Sequence, residues 1–161
     1  MRSITVRPAR VADADAIAAV HVTAWREAYA HLLPAAFLAA LDVHQRAARW
    51  RRIIDQGSTD VFVALDGDAT VGWASASDGR DEDAPRSREL EGIYVLASAY
   101  GSDAGQALHD ATLGDMPAYL WMADDNPRAE AFYRRNGFTR DGGAKQEPIG
   151  PVQLDVVRMT R

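Results

Sequence analysis

The order of apolar positions divides the chain into helical and strand-like stretches. Ser3 to Arg7 alternates weakly, as a strand does, and Pro8 closes it. Asp13 then offers an N-cap to a helix reaching about Ala28, with Ile17, Val20, Ala24 and Ala28 on one face. Pro34 restarts a short helix through Leu41. Asp42 caps a third, in which Val43, Ala47, Trp50 and Ile54 keep helical spacing until Gly57. Beyond this point the period becomes strand-like: DVFVAL (60–65) and TVGWASA (70–76) flank an Asp66-Gly67 turn signal and predict a hairpin. A polar loop, DGRDEDAPRSR (78–88), leads into a third strand over Glu89 to Leu96.

The second half repeats the alternation of types. A helix is expected from about Ala104 to Leu113, and AYLWM (118–122) reads as a strand running into DDNPRAEAFYRRNGF. In that segment Asn126 can N-cap, Pro127 suits the first helical turn, and Phe132 and Tyr133 fall on the second. Asn136-Gly137-Phe138 reads as a left-handed helix stop with an apolar residue folding back. Val152 to Met159 is the last strand. The order βααα, β-hairpin, βαβαβ predicts an α+β (mixed α/β) fold with helices on both faces of a mixed sheet. No repeat or low-complexity linker interrupts residues 1–161, which are read as one domain.

Charge and composition narrow the function classes. A net charge of −5 over 161 residues argues against a nucleic-acid partner, whose binding rests on clustered Lys and Arg. The densest basic run, Arg46 to Arg52, lies on a helical stretch and reads mainly as a solvated face. The chain has no cysteine, which excludes disulfides, thiolate metal sites and a Cys nucleophile. The four histidines form no metal-spaced set, so no metal is expected; His21 and His31 are read as structural or as lining a pocket. No apolar run approaches transmembrane length, and the expectation is a cytoplasmic protein with no membrane partner.

The loop YGSDAG, Tyr100 to Gly105, raises the chemical question. Between a strand and a helix, a glycine-spaced loop is suited to cradling a phosphate, because the helix amides are free and the dipole favours an anion. Asp103 is itself an anion in the middle of it. With Gln106 three residues on, Asp103 is expected to form a capping box and to accept hydrogen bonds from the amides a phosphate would use.

Two segments resemble the GNAT superfamily of N-acetyltransferases, which move an acetyl group from acetyl-CoA to an amine. The family pattern Asn-x-x-Ala-x-x-Phe-Tyr-x-x-x-Gly-Phe is matched by Asn126, Ala129, Phe132, Tyr133, Gly137 and Phe138. The family loop Arg/Gln-x-x-Gly-x-Gly/Ala aligns with Tyr100 to Gly105, where the basic residue and the first glycine are replaced. Glu89 to Val95 and the early WREAYAHLLP are also similar to the family, so the likeness spans nearly the whole chain. It implies a mostly antiparallel sheet of six to seven strands and acetyl-CoA as co-substrate. It further implies pantetheine contacts from the backbone of Ile93, Tyr94 and Val95. The pyrophosphate would be held by Tyr100, Gly101, Ser102, Asp103, Ala104, Gly105 and Gln106, with Asn126 and Tyr133 as further cofactor contacts. The resemblance assigns Glu89 as a base acting through water, with Glu91 in reserve on the same strand face, Tyr133 as the acid and the Val95 amide as a donor to the thioester carbonyl.

Each assignment has a plainer counterpart. Glu89 could answer Arg86 or Arg88, Tyr133 could be a packed helix aromatic, and Trp25, Trp50, Trp73 and Trp121 suit core or pocket wall. The acceptor, a small-molecule or peptide amine, would be shaped by residues near Trp25 to Phe37 and Asp78 to Arg88, where the acidic DGRDED loop would suit a cation. The rival reading is a GNAT-fold sensor or interaction module whose CoA binding Asp103 has weakened. A homodimer is compatible with either reading.

Overall fold

The structure is a computed structural model and describes residues 2–161. Strand β1 (Ile4–Pro8) precedes helices α1 (Ala14–Ala28), α2 (Ala35–Ala39) and α3 (Val43–Gln56); β2 (Asp60–Asp66), β3 (Ala69–Asp78) and β4 (Arg88–Val95) follow. Helix α4 (Ala104–Thr112), β5 (Tyr119–Ala123), α5 (Pro127–Arg135), β6 (Thr139–Ile149) and β7 (Val152–Thr160) complete the order. Seven strands form one sheet in the order β1-β2-β3-β4-β5-β7-β6. Every pairing is antiparallel except β4 with β5. No helix among the described residues is long and apolar enough to cross a membrane.

The two faces are covered by different helices, as a sheet apolar on both sides requires. On one face Ile17, Ala18 and Val20 of α1 and Ala47 and Trp50 of α3 pack on Val61, Val63 and Trp73. On the other, Ala104 and Leu108 of α4 cover Ala64, Val71 and Ala74, while Tyr133 and Phe138 reach Leu90, Leu120 and Met159. Most local signals act where they stand. Asp42 accepts from the amides of His44 and Gln45 at 2.8 and 3.2 Å, and Asn126 accepts from Ala129 at 3.3 Å. Asp13 does something else. It makes no cap bond to α1 but grips Arg7 through two bonds of 2.7 and 2.9 Å and accepts from the Arg10 amide.

Strand β6 is the element the apolar pattern leaves out. TRDGGAKQEPI is mostly exposed and has no period-two apolar face, because β7 alone pairs with it. Asp141 tethers it by accepting from Arg158 Nε and Thr160 Oγ1 at 2.7 and 2.6 Å. The β6–β7 turn then docks on α2: Ile149, Val152 and Leu154 join Phe37, Leu38, Tyr29 and Leu33 in one cluster. Gly150 stands at φ 54°, and a Cβ there would overlap the Phe37 ring, so this close approach requires glycine.

Candidate active site

Strands β4 and β5 pair only at Glu89–Tyr119 and Leu90–Leu120 and then diverge. Beyond Leu90 the backbone of β4 is paired on its β3 side alone, and the gap opens into a cleft of about 530 Å³. Ile93, Tyr94, Val95, the whole loop from Tyr100 to Gln106, Asn126, Phe132 and Tyr133 line it. All the residues expected at the cofactor site therefore share one surface.

The loop resolves the question of Asp103 against the capping box. Asp103 sits in the left-handed region at φ 63°, the only non-glycine residue there among those described, and is exposed. Its side chain makes no cap bond. Gln106 turns instead to Asp110 and Asn136, donating at 2.9 and 2.8 Å and tying α4 to the end of α5. The first amide with a backbone acceptor at this helix start is that of Ala107, which donates to Asp103 O at 2.9 Å. Amides of residues 103–106 thus keep their donors toward the cleft end, as the first turn of any helix must unless capped. Aspartate tolerates the left-handed conformation better than most residues, which is why the loop keeps its shape without glycine.

Two residues at this cleft carry no local sequence signal. Arg128, on the first turn of α5, lays its guanidinium 3.6 Å from the centre of the Tyr100 ring. Arg135 lies 5.8 Å from the centre of Phe132. Both line the cleft, and neither has a carboxylate partner among the described residues. Two positive charges thus stand at this cleft, both supplied by α5. Tyr133 is 8% exposed, and burial pushes its hydroxyl well above the ordinary tyrosine value.

A second cavity of about 520 Å³ lies on the α1 and α3 face, and Tyr94 lines both. Its walls carry His21, Trp25, Tyr29, Trp50, Trp73 and Trp121 with Glu89, Glu91, Arg80 and Lys145. The Tyr94 hydroxyl shares a 2.8 Å hydrogen bond with that of Tyr29. A bulge delivers Tyr94 to this face. Ala76 pairs with Leu90 but Ser75 with Gly92, so Glu91 is the extra residue. Glu89, Glu91 and Tyr94 consequently all face the cavity, which strict alternation would forbid.

The two carboxylates are held very differently. Glu89 is 2% exposed, and its oxygens accept four hydrogen bonds: from the Arg80 amide (3.1 Å), Arg80 Nε (3.0 Å), Arg80 Nη2 (2.6 Å) and the Tyr119 hydroxyl (3.0 Å). Three of these fall on Oε1 and one on Oε2, so both oxygens are held from the Arg80 side. Its partner is Arg80, not Arg86 or Arg88. Arg86 donates to the Arg161 carbonyl, and Arg88 pairs with Asp60. Glu91 has one looser neighbour, Arg80 Nη1 at 3.8 Å. The acidic loop is also a strut rather than a free surface: Asp81 accepts from the Trp121 indole at 2.7 Å, and Asp83 meets Arg158 at 3.3 Å. His31 is spent on the Asp125 carbonyl at 3.0 Å, and no group of metal-ligating side chains assembles among the described residues.

His21 is buried beneath this cavity and kept neutral, its pKa lowered from 6.5 to about 3 by burial and then by Arg46 and Arg49. The unfolded chain takes up a proton at this residue that the folded chain refuses. Stability is therefore expected to be full above pH 6.5 and to fall as pH drops from 6.5 toward 3, by as much as a few kcal/mol. Urea unfolding at stepped pH checks this: His21→Phe should flatten the upper part of that acid limb, and an unchanged limb would assign it to other groups.

A profile of the acetyltransferase (GNAT) family matches residues 22–138. YuaI of Bacillus subtilis, an uncharacterized N-acetyltransferase, is 32% identical over 131 residues, 77% of this chain and 74% of that protein. A GCN5-related N-acetyltransferase structure from Rhodopseudomonas palustris superposes with a TM-score of 0.72 at 23% identity, covering 100% of this chain and 97% of the other. The putative acetyltransferase YncA of Salmonella typhimurium, solved with its cofactor acetyl-CoA, superposes with a TM-score of 0.69 at 20% identity over 99% of this chain and 93% of the other. Profile, relative and fold agree with the cleft between β4 and β5 and with the Asn126 to Phe138 segment: the chain belongs to the acetyltransferase (GNAT) family.

Proposed function

We propose that residues 2–161 act as one unit that transfers an acetyl group from acetyl-CoA to a primary amine by direct attack. The observation that carries this is the meeting of two cavities at Tyr94, one lined by uncapped helix amides and a half-paired strand, the other by carboxylates. The first cavity fits CoA. Amides of residues 103–106, Arg128 and Arg135 suit the phosphates, and the free edge at Ile93 to Val95 suits the pantetheine amides. That YncA, on the same fold, was solved with acetyl-CoA supports the choice of cofactor.

Acetyl-CoA, when bound, supplies a thioester. The amine must first lose a proton, because an alkyl amine has a pKa near about 10. We assign this to Glu91 acting through water, since Glu89 is buried with both oxygens hydrogen-bonded to Arg80 while Glu91 has only the looser contact, and we give Glu89 the task of orienting Arg80. A nitrogen–carbon bond forms as the carbon–sulfur bond breaks. Tyr133 donates its hydroxyl proton to the departing sulfur, the acylated nitrogen gives up its remaining extra proton to water, from which Tyr133 is reprotonated, and the Val95 amide polarises the carbonyl oxygen. Tyr133 is protonated at neutral pH, as any tyrosine is, and its burial raises the hydroxyl further.

The test of the cofactor half is calorimetric titration with acetyl-CoA. Wild type should bind, and Arg128→Ala should weaken binding about tenfold or more, with a gap that narrows as salt rises. Absence of wild-type binding would favour the sensor reading, and an unchanged affinity in Arg128→Ala would leave the phosphates to the backbone and Arg135.

A further inference from the structure

We infer that the acceptor amine carries an anionic group, a carboxylate or a phosphoryl, in the same molecule, and that Arg46 and Arg49 of α3 hold it. This rests on the acetyl-transfer reading for the amine but on separate residues for the anion.

The charges lining the second cavity are not evenly matched in space. Its carboxylates are all engaged. Glu89 and Glu91 face Arg80, while Asp81 and Glu147 lie 3.9 and 3.5 Å from Lys145. Arg46 and Arg49 line the same cavity, and neither has a carboxylate partner or a hydrogen-bond acceptor among the described residues. Arg46 is half-buried and Arg49 is at the exposed rim. Burial, then the neighbouring Arg49 charge, disfavours the charged form of Arg46.

A run of arginines on a surface helix ordinarily snorkels into water. Arg51 and Arg52 fit that description, Arg51 pairing with Asp15 outside the cavity. Arg46 and Arg49 do not. They share a helical face with Trp50 and Ile53, and all four line the cavity. Arg46 also lies 5.6 Å from the centre of the Trp25 ring, which holds its guanidinium against the aromatic wall. Two like charges placed together without a counterion favour an anionic ligand and repel a purely cationic one.

The neutral side chains lean the same way. His21 Nδ1 accepts from the Trp50 indole at 3.2 Å, so its proton is on Nε2, which has no acceptor. Trp73 Nε1 has none either, and Trp25 Nε1 faces the Tyr94 hydroxyl from outside hydrogen-bond geometry. These atoms are buried in the wall, so a ligand oxygen reaches them only if a covering ring turns. The buried atoms of this wall that lack any partner are all donors, whereas Glu91 is the less committed carboxylate. An amine directed to Glu91 and an anion directed to Arg46 and Arg49 would satisfy both.

The experiment uses four probe sets on the full chain: short ω-amino carboxylic acids, ω-aminoalkyl phosphonates, the matching ω-amino amides and plain alkylamines. Binding is read by tryptophan fluorescence, because the cavity is walled by indoles, and transfer by thiol release from acetyl-CoA. Anionic amines are expected to bind and react at least about tenfold better than their amides, consistent with one charge-assisted contact. Arg46→Gln should abolish that preference, Arg46→Lys should keep part of it, and acetyl-CoA affinity in both confirms an intact fold. The carboxylate and phosphonate arms tell which anion is held. Preferential binding of anionic amines without thiol release would uphold this site and overturn the acetyl-transfer reading. Equal service to amides or alkylamines, a preference untouched by Arg46→Gln, or no binding in any arm would overturn the inference.

Discussion

Tyr133→Phe is expected to lower turnover by a factor of about 10² or more while leaving the fold nearly as stable as before. The substitution removes one oxygen, and that oxygen has no hydrogen-bond partner among the described residues, so no buried donor or acceptor is orphaned. The ring itself keeps its packing, with centroids 5.6 Å from Phe132 and 6.0 Å from Phe138. The loss should appear in kcat and not in acetyl-CoA affinity, because a proton donated to the departing sulfur matters only in the transition state. Burial raises this hydroxyl above the ordinary tyrosine value of 10, so wild-type activity should not decline through Tyr133 ionising until pH exceeds 10. Single-turnover measurement isolates the chemical step. Unchanged single-turnover rates would reassign Tyr133 to packing.

Glu91→Gln is expected to cost about 10² in rate at neutral pH, a loss that shrinks as pH rises toward about 10 and the amine deprotonates unaided. Its stability should hardly move, since its one charged neighbour is 3.8 Å away. Glu89→Gln should behave in the opposite sense. An amide nitrogen would face the donors of Arg80 and Tyr119 in a site 2% exposed, leaving buried groups without acceptors. Arg80 itself is 61% exposed, and water recovers part of the loss, so about 2–3 kcal/mol is expected, or roughly 4–12 °C in Tm. Thermal unfolding beside a pH–rate profile separates the two. Should Glu89→Gln instead give the pH-dependent rate loss with an unchanged Tm, the roles assigned to the two carboxylates are reversed.

Several features were legible because they depend on near neighbours. Asn126, Pro127 and the Asn136-Gly137-Phe138 stop bound α5 by contacts within a turn, and the structure shows them so: Asn126 caps at Ala129, and the Phe138 amide donates back to Tyr133 at 3.0 Å. Asp42 and Gly57 bound α3 in the same way. Periodicity found the remaining helices and six strands for a similar reason, since a face buried against a layer must repeat at the period of its own backbone. β6 failed that test because its pairing is supplied by main-chain bonds to β7 and not by an apolar face.

The site divides along the same line. From the chain alone came the identity of its parts: an amine-acetylating family pattern, a strand carrying Glu89, Glu91 and Tyr94, a loop spaced for phosphates, a run of arginines. Tertiary structure decided what each part does. It turned Asp103 outward where a local pattern promised a cap, and it brought Arg128 over Tyr100 from another helix. It chose Arg80 over nearer arginines as the partner of Glu89, because the loop folds Arg80 back beside β4 while Arg88 is drawn to Asp60 on β2. It placed Arg46 and Arg49 inside a cavity rather than in open water. Most consequential is the bulge at Glu91, which carries Tyr94 to the face of the carboxylates. Sequence alternation specifies a face only while the ladder is regular, and one extra residue, visible only against the partner strand, reverses it.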